Sequence, residues 1–168
     1  IIQADDVADD DFLCSLSIMG APTVSNEKPP QGNELVNIVR GLEQHTNEKV
    51  KAIIIGEIGG SNGLKPLIAG LQLGLPVIDG DAMGRAFPEL QMDTFSIGGV
   101  SHHPMALGDS YGNVVIFHKL DTTHRAEQYG RTLTIDMGGS AALAMPVMHG
   151  REMKKYLIRN TLSLTKRI

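Results

Sequence analysis

The sequence has little cysteine and no excess of charge of either sign, and both shortages exclude classes of protein. Cys14 is the one cysteine among 168 residues, so an internal disulfide and a cysteine-rich metal site are excluded. Lysine and arginine number 15 against 19 aspartate and glutamate residues, for a formal net charge of −4. Without a basic stripe, nucleic acid and acidic membrane surfaces are not expected as partners.

Long apolar runs and the common catalytic fingerprints are also missing. We find no apolar run of membrane-spanning length and no signal peptide, so a cytoplasmic location is expected. G-x-G-x-x-G, the Walker lysine, H-E-x-x-H and G-x-S-x-G are absent, and no nucleophile signature surrounds Cys14. A nucleotide cofactor and covalent serine or cysteine catalysis are therefore not predicted.

The size and composition of the chain favour one folded α/β domain over residues 1–168. The hydrophobic share is 42%, and this length allows one substantial core. The sequence starts at Ile1 without an initiator methionine, and we expect it to be a segment of a longer polypeptide.

The middle of the chain has the pattern on which the fold prediction depends. The apolar run 52–55 predicts a buried strand, residues 57–63 a glycine-rich loop, and the apolar spacing over 64–71 a helix. A second strand is predicted over 75–78. Together they form a βαβ unit, and its right-handed crossover places both strand C-termini at one edge of the sheet.

The rest of the chain predicts shorter elements around this unit. Residues 15–24 are interrupted by Gly20 and Pro22 and predict a loop, and Pro29 with Pro30 should stop regular structure. The predicted helices are 33–45 with Asn33 as N-cap, 121–130 starting at Asp121 or Thr122, and 151–157, while 85–91 forms either a short helix or a turn that Pro88 ends. Apolar runs that predict strands are 96–100, 105–107, 114–117 and 133–135, with a hairpin at 109–113. We therefore expect a layered α/β fold with a central parallel or mixed sheet and an antiparallel ribbon.

Glu57 and the glycines after it form the first candidate site. Because Glu57 follows a predicted strand, it should lie where open α/β sheets bind ligands. The backbone N–H groups of Gly59, Gly60 and Asn62 stand before a helix and could hold a carbonyl or anionic oxygen. A purely structural turn explains the same pattern equally well.

Asp79-Gly80-Asp81 is the second candidate, because it follows the second predicted strand beside Glu57. Two carboxylates separated by one glycine can bind a divalent cation, or one of them can act as an acid or base. Arg85 follows closely and could orient a carboxylate or bind a substrate oxygen. An isolated Asp-Gly-Asp is otherwise a turn, and the adjacent His102 and His103 are more typical of a surface loop than of a site.

Four strings of the sequence resemble the S-methyl thiohydantoin desulfurase family, formerly a domain of unknown function. They are DDDFL at 9–13, MGAPTV at 19–24, EIGGSNGL at 57–64 and DGDAMGRAFPELQM at 79–92. Members of that family are fused to, or encoded near, hydantoinase and 5-oxoprolinase-type proteins. The resemblance covers essentially the whole chain and implies that residues 1–168 form the first domain of a longer protein whose β-rich second domain is absent here.

The resemblance also implies a substrate class, namely hydantoin, thiohydantoin, S-methyl thiohydantoin or oxoproline-like rings that are attacked hydrolytically. We expect the acids to activate a water, directly or through a divalent metal such as zinc, while Arg85 and the loop amides stabilise the oxyanion. The expected catalytic residues are Glu57, Asp81 and Arg85, the substrate-binding residues Gly59, Gly60, Asn62 and Glu89, and the metal ligands Glu57, Asp79 and Asp81.

Two kinds of partner follow from the same resemblance, a small cyclic amide and either a second copy of the chain or a hydantoinase-type partner domain. The alternative function is a non-catalytic interface or ligand-binding module within a hydantoinase or oxoprolinase-type protein.

Overall fold

The computed structural model describes residues 1–27 and 30–165, so the expectation for Pro29 lies outside the described residues. The strands are β1 (Phe12–Gly20), β2 (Ala52–Ile55), β3 (Val77–Asp81), β4 (Met105–Gly108), β5 (Val114–Phe117), β6 (Ser140–His149) and β7 (Ile158–Arg159). The helices are α1 (Pro22–Glu27), α2 (Glu34–Thr46), α3 (Lys65–Leu73), α4 (Thr94–Ile97), α5 (Thr123–Asp136), α6 (Gly150–Tyr156) and α7 (Thr161–Thr165). No helix in this part of the chain is long and apolar enough to cross a membrane.

The strands form one mixed sheet in the order β5-β4-β6-β1-β2-β3-β7. β1, β2 and β3 are parallel, and every other neighbouring pair is antiparallel. The predicted α/β fold, with its βαβ unit and antiparallel ribbon, is confirmed. Helix α3 ends at Gly74, which adopts the left-handed conformation that favours glycine there.

The central strand β1 is the largest correction to the sequence prediction, which made residues 15–24 a loop. It pairs with β2 on one side and β6 on the other, and Leu13, Cys14 and Leu16 are fully buried. Ser15 and Ser17 interrupt the apolar run by which a fully buried strand is recognised in a sequence. The pairing of both strand edges nevertheless satisfies the backbone hydrogen bonds of β1 and fixes it as a strand.

Three further predictions are wrong or displaced for local reasons. Residues 96–100 are not a strand, because Asp93 caps helix α4 by accepting a hydrogen bond from the Ser96 N–H at 2.6 Å. Residues 133–135 are not a strand either, because α5 continues through Gly130 to Asp136 and packs against Met19 of β1. Residues 85–91 are not an α-helix, since a short 3₁₀ turn at Leu90–Met92 is the helical part.

The sheet has a helical layer on each face. Helices α2 and α3 cover one face, where Leu16, Ile53 and Ile55 belong to the core. On the opposite face, α4 and α6 pack over a cluster that contains Leu13, whereas α5 packs over a cluster that contains Met19. Leu13 and Met19 lie at opposite ends of β1, so a gap remains between these two clusters.

Candidate functional site

A pocket of about 300 Å³ occupies the gap between the two clusters on the second face of the sheet. Ser15 and Ser17 of β1 lie between Leu13 and Met19 and form part of its lining. Alternate residues of a strand face the same side, which explains why both serines belong to the lining of one pocket. The polar side chains of the lining are Ser15, Ser17, Glu57, Asn62, Glu89, Asp93, Glu127 and Arg131.

Glu57 and Asn62 form a hydrogen-bonded polar pair in this lining. Glu57 comes two residues after the end of β2, and its Oε1 accepts a hydrogen bond from the Asn62 side-chain amide at 2.6 Å. That amide also donates to the Ile18 carbonyl at 3.1 Å, and the Asn62 Oδ1 accepts from the Ile18 N–H at 2.9 Å. Asn62 therefore fixes the Glu57 carboxylate relative to β1.

Asp81 has a different role from Glu57, because it holds backbone. Its Oδ2 accepts hydrogen bonds from the N–H groups of Ile58, Met83 and Gly84 at 2.9, 3.1 and 2.7 Å. The Asp81 side chain is fully buried and does not line the pocket. It joins the loop after β2 to the turn after β3, and these two segments supply part of the pocket wall.

Asp79 points to another part of the molecule. The Ser163 N–H donates to its Oδ1 at 3.0 Å and the Ser163 hydroxyl to its Oδ2, which docks α7 on β3. Burial raises the pKa of Asp79, but the hydrogen bonds from Ser163 and Gln3 outweigh burial and hold the pKa below its usual value.

The glycine between Asp79 and Asp81 is required by packing. A Cβ at this position would lie 2.6 Å from Leu157 Cδ2 and 2.7 Å from the Ile158 carbonyl oxygen, so the approach of β7 excludes a side chain. Asp79 and Asp81 each have their own hydrogen-bond partners. Across residues 1–27 and 30–165, no group of three or more histidine, cysteine, aspartate or glutamate side chains is arranged to hold a metal ion.

Of the remaining predicted residues, Glu89 belongs to the pocket lining and Arg85 does not. Glu89 is exposed and contributes to the lining. Arg85 is exposed and stacks over the Phe87 ring at 5.9 Å from its centroid. Gly59 and Gly60 are absent from the lining, and a Cβ at Gly59 would lie 3.1 Å from the Ala86 Cβ, so Gly59 allows the two loops to approach each other.

Asp93 is a pocket residue that the sequence analysis missed. Its side chain is 4% exposed, and its two oxygens accept hydrogen bonds from the Ser96 N–H and hydroxyl at 2.6 and 2.9 Å. Burial raises the pKa of Asp93 against the opposite effect of these bonds. The spacing from Asp93 to Ser96 is typical of a helix N-cap, which is the signal that could have identified the residue.

Glu127 and Arg131, both on α5, were also missed. Glu127 accepts a hydrogen bond from the Leu90 N–H at 3.0 Å and pairs with the Arg131 Nε, while the Arg131 Nη2 donates to the Pro88 carbonyl. Residues 88–90, which we name the pocket strap, are thereby tied to α5. The predicted helix ends at Gly130, one residue before Arg131, and so separates this pair, whose members are neighbours only on a continuous helix.

His102 and His103 lie outside the pocket lining, in the loop before β4. The His102 Nε2 is 3.2 Å from the Leu120 carbonyl oxygen, and the two imidazole rings are 5.3 Å apart. Burial, and then the neighbouring His102, lower the pKa of His103. These contacts agree with the expected loop role.

Two family models cover nearly the whole chain. The model for the N-terminal domain of S-Me-THD-like proteins matches residues 1–119, and the model for their C-terminal domain matches residues 121–168. The crystal structure of a protein from Chromobacterium violaceum is similar with a TM-score of 0.90 and 25% sequence identity, over 99% of this chain and 47% of that one. The chain thus spans about half the length of that protein. No curated protein matches it.

Proposed function

The chain belongs to the S-Me-THD-like family, and on this basis we propose that its pocket binds five-membered cyclic amides or thioamides and hydrolyses them. Membership confirms the resemblance found in the sequence. A volume of about 300 Å³ is at the small end of ligand pockets, which suits one ring with a short substituent.

The observation that carries the proposal is the fixed carboxylate of Glu57. It lies in the pocket lining at the carboxyl end of a parallel strand, and the Asn62 amide holds one of its oxygens at 2.6 Å. A carboxylate held in this way keeps its orientation and leaves its second oxygen to accept a proton from water. We assign Glu57 as the general base and Asn62 as the residue that positions it.

For an S-methyl thiohydantoin, the proposed reaction replaces sulfur with oxygen. Glu57 removes a proton from water, and the water oxygen forms a bond to the ring carbon that bears the S-methyl group. The C–S bond of the tetrahedral intermediate then breaks. The ring nitrogen whose double bond to this carbon opened gains the proton that Glu57 took, the added hydroxyl loses its proton as it becomes a carbonyl, and the departing sulfur gains one, so the products are hydantoin and methanethiol.

Asp93 is our candidate for the proton donor to the leaving sulfur. It shares the pocket with Glu57, and burial raises its pKa, so its protonated form persists to higher pH than that of an exposed aspartate. Two carboxyl groups in different environments divide the roles of base and acid in this way in many hydrolytic sites. Asp81 serves the same site by positioning its two loops, and Arg85 and Glu89 are proposed to contact the substrate at the rim.

Metal assistance remains a prediction for the full-length protein. The acids named as metal ligands do not converge, because Asp79 binds Ser163 and Asp81 binds three backbone N–H groups. None of the steps above therefore depends on a metal ion. The sequence-based set of Glu57, Asp79 and Asp81 does not fit such an ion in this arrangement.

The substitution Glu57→Gln tests the proposal in the full-length protein. We expect release of methanethiol from S-methyl thiohydantoin, measured with a thiol reagent, to fall by at least about 100-fold, because general-base catalysis contributes at least that much. The melting temperature should stay close to that of the wild type, since the glutamine side chain can still accept the Asn62 hydrogen bond.

Glu48→Gln is the matched control, because Glu48 lies on the surface, where its Oε2 is 3.3 Å from the His149 Nε2. Its turnover should equal that of the wild type. Normal turnover in Glu57→Gln would remove Glu57 from the mechanism.

One observation favours the second candidate, an interface module without its own chemistry. Leu64, Ile68 and Leu71 follow one another at helical spacing on and just before α3, and they are 63%, 53% and 85% exposed. Such an apolar stripe is typical of a surface that packs against another copy or another domain. A wild-type protein that binds no cyclic amide and releases no methanethiol would favour this module.

A further inference from the structure

The Ser15 hydroxyl is a buried polar group that the fold leaves unpaired. Ser15 is 1% exposed, and no donor or acceptor among the described residues lies within hydrogen-bonding distance of its Oγ. Ser15 pairs with Ile54 of β2, and on the β6 side it lies where the register shifts between Cys14 and Leu16. Burial of a hydroxyl without a hydrogen-bond partner destabilises the folded protein, because the hydroxyl gives up its hydrogen bonds to water.

The surroundings of Ser15 distinguish it from other unpaired hydroxyls. Ser15 lines the pocket together with Glu57 and Asp93. Thr134 also has a buried, unpaired hydroxyl, but it lies on α5 and does not line the pocket. Ser15 and Thr134 therefore both have a buried, unpaired hydroxyl, but only Ser15 belongs to the pocket lining.

The chemistry of the pocket indicates what would pair with Ser15. Half of the polar side chains of the lining are carboxylates, whose oxygens accept hydrogen bonds when ionised. The one cationic side chain of the lining, Arg131, already binds Glu127 and the Pro88 carbonyl. A cyclic amide presents N–H donors that suit the carboxylates and a carbonyl oxygen that needs a donor.

We propose that the Ser15 hydroxyl is a substrate-binding group that donates a hydrogen bond to a ring carbonyl oxygen. This inference rests on the proposed function and adds a specificity determinant to it. Its consequence is a trade-off, in which the hydroxyl weakens the ligand-free protein and strengthens ligand binding. The change in stability separates this role from a structural one, because a hydroxyl with a partner in the fold would stabilise the ligand-free protein instead.

The test compares Ser15→Ala with Thr134→Val in the full-length protein that also has Glu57→Gln to prevent turnover. Each substitution removes one buried, unpaired hydroxyl. Melting temperature without ligand and the Kd for hydantoin by titration calorimetry are measured for both. We expect both variants to melt at or above the temperature of the parent, Ser15→Ala to bind hydantoin about tenfold more weakly, and Thr134→Val to bind it as the parent does.

Three results would overturn the assignment, and they are distinguishable. A lower melting temperature for ligand-free Ser15→Ala would show that the hydroxyl has a partner within the protein. Unchanged hydantoin affinity in Ser15→Ala, with binding by the parent, would show that the ring does not use it. Failure of both the wild type and the parent to bind hydantoin, thiohydantoin and 5-oxoproline would instead remove the proposed function, and this assignment with it.

Discussion

At the scale of single residues, two buried aspartates should respond to pH in opposite directions. The pKa of Asp79 is lowered from 3.8, so its ionised form stabilises the fold above that pH and the benefit is lost as the pH falls through its folded pKa. The pKa of Asp93 is raised from 3.8. Its contribution is therefore favourable at low pH and is lost as the pH rises through its folded pKa.

We predict that Asp79→Asn lowers the free energy of unfolding at pH 7 by about 2 kcal/mol, because charge-assisted hydrogen bonds from Ser163 are lost. Asp93→Asn should raise it by about 0.5 kcal/mol, because asparagine keeps the helix cap and removes a buried charge. Urea unfolding at pH 7 and pH 3 measures both, and both differences should shrink at pH 3. The same sign for the two variants at pH 7 would contradict the prediction.

Some of the pocket residues could be predicted from the sequence, and others could not. Glu57 and Asn62 could be predicted, because a buried strand followed by a glycine-rich loop indicates where a ligand edge lies. The spacing from Asp93 to Ser96 indicates a helix cap, but the place of Asp93 in the pocket, like that of Arg131, depends on the packing of α4 and α5 and could not be predicted. The place of Ser15 in a central strand was not predicted, because the strands that pair with β1 come from distant parts of the chain.

At the scale of elements, α5 controls the pocket through the strap at residues 88–90. We predict that Arg131→Met raises KM about tenfold and lowers the free energy of unfolding by about 1 kcal/mol, because the strap loses its bond to Arg131 and Glu127 loses its partner. Steady-state kinetics with S-methyl thiohydantoin and urea unfolding provide these values.

Arg125→Met is the control on the same helix, where Arg125 binds the exposed Gln128 side chain. It should leave both quantities unchanged. If kcat alone fell in Arg131→Met, Arg131 would act on the reacting atoms rather than through the strap.

The elements that the sequence predicted well are those that local signals define. α3, α6, the β4–β5 hairpin and the Thr122 cap of α5 all have a periodic pattern or a turn that is sufficient by itself. The elements that it missed depend on tertiary contacts. The runs at 96–100 and 133–135 are too short to distinguish a strand from a buried helical turn.

At the scale of the whole molecule, the boundary between the two family models does not coincide with a boundary in the sheet. The model for the C-terminal domain begins at residue 121, yet β6 lies between β4 and β1. We predict that residues 1–119 expressed alone are insoluble or unfolded, because removal of β6 exposes the edges of two buried strands. Circular dichroism and gel filtration, with residues 1–168 as the control, test this expectation.

A folded, monomeric fragment of residues 1–119 would contradict the prediction and would mean that the parallel strands need no partner from the second segment.

The central position of β6 also affects the order of events during synthesis. Residues 12–20 of β1 leave the ribosome well before their partners at 140–149 are synthesised. Until then the parallel strands and the β4–β5 hairpin are separate pieces with open edges, a condition that favours slow folding and association between nascent chains. The pocket, whose lining includes Ser15 on β1 and Met145 on β6, is therefore completed only when β6 is in place.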